Sequence, residues 1–166
     1  MLCSEFIADV NNPINPQIIN LYSGQVKAFV KVVFSFEGKL QSANLEMIPE
    51  VLPDRSAKWV INSVETDCLA SNTDSLAKHF IAPNSHETTF INLNKLNSTP
   101  DPLYFFATPT ATTSRFVSEV AKKRIIIQNT EKVTYFISFS KWEITVEEFN
   151  RTSNNSGWLI SNIKRL

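Results

Sequence analysis

From Val26 to Phe36 every second residue is apolar, Val26, Ala28, Val30, Val32, Phe34 and Phe36, while the opposite face is mixed: Lys27, Phe29, Lys31, Val33, Ser35. A period of two is the mark of a β-strand with one buried face. Glu37-Gly38-Lys39 then turns the chain into a second apolar stretch, 40–48, which predicts a hairpin. Pro49 and Pro53 bracket a loop before a third strand, 58–65, carrying Trp59, Val60, Ile61 and Val64. Ahead of these strands, residues 4–10 read as a short helix stopped by Asn11-Asn12-Pro13 and Asn15-Pro16.

The middle of the chain changes period. Thr73 or Asp74 can cap a helix running to residue 81, with Leu76 and Phe80 four apart and Pro83 ending it. Ser85 can cap a second, 86–97, whose Phe90, Leu93 and Leu96 form one stripe. Pro100 and Pro102 close that region, and the apolar run 103–107 predicts a short strand. Thr113 or Ser114 opens a further helix with Phe116, Val117 and Val120 facing the core. Lys122-Lys123-Arg124 falls at its end, where cations complement the helix dipole.

The last third predicts a meander of strands over 124–128, 132–149 and 158–164. Its long middle strand carries a phase change. Val133, Tyr135, Ile137 and Phe139 are apolar on odd positions, whereas Trp142, Ile144 and Val146 are apolar on even ones. A β-bulge near Ser140-Lys141 would insert one residue, produce this jump and bend the strand; burial on both faces at Phe136 and Trp142 is the alternative. Asn154-Asn155-Ser156-Gly157 supplies the final turn. The elements predict a single α+β domain over 1–166: a strongly bent antiparallel sheet packed on a few short helices, one pair of layers with a concave face.

Composition narrows the chemistry. The 166 residues hold three glycines, Gly24, Gly38 and Gly157, against about eleven or twelve at average usage. Phosphate-cradling loops need clustered glycines, and here none lie close together. Gly38 and Gly157 sit at predicted turns. Sixteen basic and sixteen acidic residues cancel, and their even spread builds no field for nucleic acid. No apolar run is long enough to span a membrane. Met1 to Val10 has neither a basic start nor an apolar centre, so it is not a signal peptide; a cytoplasmic protein is expected, a mature secreted form being the alternative. Cys3 and Cys68 read as free thiols in a reducing compartment. Three Asn-x-Ser/Thr sequons start at Asn97, Asn150 and Asn154, as chance allows in so Asn- and Ser-rich a chain.

Catalytic sets are incomplete. His86-Glu87 begins like a zinc-protease helix, but Phe90 stands where the second histidine is required. His79 and His86 have no spaced third ligand, so no metal is expected. Cys68 beside Asp67 lacks an oxyanion site, and no Gly-x-Ser-x-Gly elbow exists. No catalytic residue and no cofactor are therefore assigned. Aromatic residues are plentiful instead. Trp59, Trp142 and Trp158 lie in predicted strands, and packing accounts for them; the functional alternative is a pocket lined by Tyr135, Trp142, Trp158, Trp59, Tyr104 and His79.

The curved strand followed by Gly157-Trp158-Leu159-Ile160-Ser161-Asn162-Ile163 resembles the end of the cone-shaped nuclear-transport-factor-like superfamily, with its ketosteroid-isomerase-like, polyketide-cyclase-like and cystatin-like members. The resemblance covers about a third of the chain. It implies a bent sheet around an apolar pocket, used by some members for catalysis and by many for binding or dimerisation. The helical block here lies mid-chain, and no aspartate–tyrosine pair matches the isomerase site, so no catalytic role is carried over. Residues 80–87 also resemble a segment of uncharacterised bacterial proteins. The expectation is a non-catalytic domain that binds a small apolar ligand, a protein partner or a second copy of itself. A cofactor-independent isomerase- or cyclase-like enzyme using the same pocket is the alternative.

Overall fold

The computed structural model describes residues 2–20, 25–69, 93, 96–100, 102–107, 110–152 and 155–166. Its elements are α1 (Leu2–Val10), β1 (Val26–Phe36), β2 (Lys39–Val51), β3 (Ala57–Glu65), α2 (Ala111–Ala121), β4 (Ile125–Phe139), β5 (Trp142–Phe149) and β6 (Gly157–Arg165). The six strands form one sheet in the order β3-β2-β1-β4-β5-β6. With the helices this is an α+β architecture. The helices expected over 73–81 and 86–97 fall almost wholly outside the described residues.

The chain divides into two compact units, 28–133 and a second formed by 1–27 with 134–166, and β4 runs through both. In the first unit, β1 and β2 pair as a hairpin in which Phe36 faces Lys39 across the two-residue turn Glu37-Gly38. Both turn residues take positive φ, 51° and 76°, as a type I′ turn requires. The alternation of β1 is realised from Val26 to Phe34: Ala28, Val30 and Val32 are buried opposite Met47, Leu45 and Ala43 of β2, and Phe34 opposite Gln41, while Phe36 beside the turn is half-buried. Phe116 of α2 meets Phe34 edge-on at 5.6 Å, and Phe106 lies 6.3 Å from Phe116.

Helix α2 starts earlier than expected. Thr110 is its N-cap, accepting from Thr113 N, and Ala111 opens the helix. Lys122 is the C-cap, Lys123 turns left-handed at φ 57°, and the amides of Lys123 and Arg124 return to the carbonyls of Val120 and Glu119. That bonding is the Schellman pattern. The basic run thus closes a helix, and Arg124 pairs with Glu37 at 2.7 Å and Glu119 at 3.1 Å.

Three other expectations are corrected. Pro49 lies inside β2, opposite Trp59, and the loop is confined to 52–56. Pairing with β1 ends at Met47, which leaves one edge of β2 open, the setting in which a strand tolerates proline. Residues 103–107 are not a strand: Pro102–Phe105 forms a 3₁₀ turn, and only Phe106 pairs, in parallel, with Ile61. Strands 124–128 and 132–139 are one, β4. Where β5 no longer covers it, the amide of Asn97 both donates to Ile127 O and accepts from Ile127 N. A side chain there stands in for a neighbouring strand.

In the second unit the expected bulge at Ser140-Lys141 is a chain reversal. Phe139 pairs with Trp142, Ile137 with Ile144 and Tyr135 with Val146. In a two-residue hairpin, partners on one face have opposite parity, so the apolar phase must jump across the turn. Ser140 takes φ 52° to make it. Phe139, Trp142 and Ile144 form the core, with Phe6 and Val10 of α1 packed against it. Phe6 meets Trp142 edge-on at 5.4 Å, and Trp142 Nε1 donates to Asp9 at 2.8 Å. Asp9 also pairs with Lys141 at 2.9 Å, and Glu5 with Arg165 at 3.2 Å. These contacts fasten a helix that has no fully buried residue of its own.

Candidate functional site

Strand β3 is buried on both faces: Ala57, Lys58, Trp59, Val60 and Ile61 are consecutive buried residues. Alternation alone would leave every second one in water. Along the sheet edge, Phe106 returns beside β3 through its bridge to Ile61, and Ala107 N donates to Ile61 O at 2.8 Å. The chain so placed closes a cavity of about 260 Å³ lined by Ile48, Pro49, Glu50, Lys58, Val60, Phe106 and Ala107.

Lys58 is the residue that gives the cavity chemistry. Its side chain is 6% exposed, yet it carries an ammonium, and its Nζ meets Glu50 Oε2 at 2.5 Å. The register sets this pair, since Glu50 and Lys58 face each other across β2 and β3. Lysine is almost never buried without a charge partner, because desolvating an ammonium costs several kcal/mol. Glu50 is 48% exposed, so the polar end of the cavity communicates with water. Ile48 and Val60, paired with each other two residues along from Glu50 and Lys58, and Phe106 add apolar groups to the lining. The arrangement can hold an anion beside an apolar body.

The aromatic candidates lie elsewhere. Tyr135 and Trp158 are brought together in the second unit, ring centroids 5.1 Å apart, and the Trp158 indole nitrogen is buried with no acceptor among the described residues. Trp142 belongs to that unit's core, fully buried under Phe6. Trp59 is buried in β3, 4% exposed and opposite Pro49. Tyr104 falls in the 3₁₀ turn, its side chain outside the described residues, and His79 is also outside them. Of the four whose side chains are described, Tyr135, Trp142, Trp158 and Trp59, none lines the Lys58 cavity. The signal available in the sequence was the run Trp59-Val60-Ile61, apolar on both parities, which marks a doubly covered strand and draws its neighbour Lys58 inside.

Other chemistry is sparse. Among the described residues, no three His, Cys, Asp or Glu side chains are grouped to hold a metal ion. Cys3 is exposed and Cys68 half-buried, 3.3 Å from the Thr66 hydroxyl. Hydrogen bonds from Lys141, and then from Trp142, hold the Asp9 carboxyl below its ordinary value; Ser56 does the same for Asp54. No described helix is long and apolar enough to cross a membrane. Comparison with protein-family models, with curated proteins and with solved structures finds no match to this chain.

Proposed function

We propose that this chain is a non-catalytic binding domain that takes a small ligand into the cavity beside β3. One observation carries the reading: a nearly buried ammonium, Lys58, lines a cavity of mixed polar and apolar character, with Ile48, Pro49 and Ala107 as its half-buried apolar residues. Binding sites combine apolar walls with a few polar groups that orient the ligand. At about 260 Å³ the cavity lies just below the roughly 300–1,000 Å³ of pockets for drug-sized ligands, so the occupant is small. The bent sheet expected from the sequence belongs to this proposal; the register shifts after Glu46 and after Thr145 support it, since a bulge bends its strand locally.

Ligand-observed NMR against a panel of fragments of about ten heavy atoms tests the reading. Several are expected to bind the wild-type protein and to lose their signal when Val60→Trp fills the cavity. Equal binding to the filled variant would place the ligands elsewhere and refute it.

A further inference from the structure

Resting on that binding reading, we propose that the ligand is a small monocarboxylate with an apolar body, and that its carboxylate displaces Glu50 from Lys58. The two partners are unequally held. Lys58 is fixed inside, 6% exposed, whereas Glu50 is 48% exposed and needs only a side-chain rotation to return its charge to water. A desolvated ammonium requires an anion, so an incoming carboxylate replaces one charge-assisted bond with an equivalent one. The exchange leaves the buried charge compensated throughout, and the expelled Glu50 is rehydrated. The ligand's apolar part meanwhile lies against Ile48, Pro49 and Ala107, the half-buried apolar residues of the lining, and each methylene removed from water favours binding.

The same geometry selects against other charges. A cation would have to approach Glu50 beside the Lys58 ammonium and would be repelled by it. A dianionic phosphate would bring more charge than Lys58, the one ammonium among the described residues that line this cavity, can compensate. A neutral alcohol could fill the walls but would not replace Glu50. The protein's own carboxylate is therefore both the stand-in for the ligand and its competitor.

Competition gives the test an unusual sign. Benzoate, phenyl phosphate, benzyl alcohol and benzylamine are titrated by calorimetry into wild-type protein, Glu50→Gln and Lys58→Met, each checked for folding by circular dichroism. Benzoate is expected to bind wild type best, to bind Glu50→Gln roughly tenfold tighter, a change of about 1.4 kcal/mol, and not to bind Lys58→Met. If Glu50→Gln does not fold, benzoate binding by wild type that weakens on Lys58→Met and exceeds that of the other three sustains the proposal. Benzyl alcohol binding as well as benzoate, with Lys58→Met unaffected, overturns the ligand class while the cavity reading stands. Stronger binding of benzylamine or phenyl phosphate overturns it too, as does weaker benzoate binding to folded Glu50→Gln. Silence from all four probes, together with no binding by any fragment of the wider panel, sinks both the class and the cavity reading.

Discussion

Removing either member of the Lys58–Glu50 pair should have very different consequences for stability. In Glu50→Gln the ammonium stays where it is, 6% exposed, with a neutral amide in place of a carboxylate. Exchanging one carboxylate partner of a mostly buried ammonium for a neutral amide costs about 2 kcal/mol. For a domain of this size each 1 kcal/mol moves the melting temperature by roughly 2–4 °C, so Glu50→Gln should melt roughly 4–8 °C lower. In Lys58→Met the buried charge itself is gone, the methionine fills similar space, and Glu50 is free to hydrate. Exchanging a buried ion for an apolar side chain is often neutral or stabilising, so this variant should lie within about 1 kcal/mol of wild type. Urea titrations followed by circular dichroism supply both numbers, provided the slope is unchanged. Equal losses for the two variants, or a larger loss for Lys58→Met, would refute the account of an internal cation held by an external anion.

Other consequences follow from the two cores. Phe116→Ala removes a fully buried ring packed on Phe34 and Phe106; about 3–5 kcal/mol should be lost, seen as a fall in the urea midpoint, and a loss under 1 kcal/mol would contradict the packing. Gly38→Ala places a side chain at φ 76° and should cost about 1 kcal/mol, again by urea titration. Its Cβ meets nothing within 4 Å, so the whole effect is conformational. The Asp9 carboxyl titrates below its ordinary value of 3.8 because Lys141 and Trp142 hydrogen-bond its charged form. Its folded pKa lies below its unfolded one, so its contribution is complete above about pH 4 and is lost as pH falls through the lowered value. The Trp142 indole N–H resonance should then shift in acid, and Asp9→Asn should abolish that transition; an unchanged transition in the variant would show that another group controls it.

Local patterns were legible where local physics decides them. The alternation of Val26 to Phe36 is enough to define β1, because one face is covered from Val26 to Phe34. The parity change after Phe139 was equally visible, but it has two causes, an inserted residue or a two-residue turn. Ser140-Lys141 contains no glycine or asparagine to announce a hairpin, and Ser140 adopts positive φ regardless. Around α2, the run Thr110-Ala111-Thr112-Thr113-Ser114 offers several capping hydroxyls, and only the fold selects Thr110. The site was the least legible part. A lysine beside a tryptophan in a strand reads as a solvated residue, and Lys58 is buried because residue 106 comes back beside residue 61. That pairing is non-local, and its local trace is confined to the run Trp59-Val60-Ile61, apolar on both parities. The aromatic residues drew attention because they are large, but Trp142 serves the packing of α1, and Trp59 packs within β3.

Amide NMR of the wild-type protein titrated with benzoate tests the central claim most directly. Saturable shifts are expected at Ile48, Glu50, Lys58, Val60, Phe106 and Ala107, residues that come together only at the edge of β3, and Tyr135 and Trp158 should remain unmoved. Shifts centred on Tyr135 and Trp158, or none that saturate, would contradict a ligand site built on Lys58.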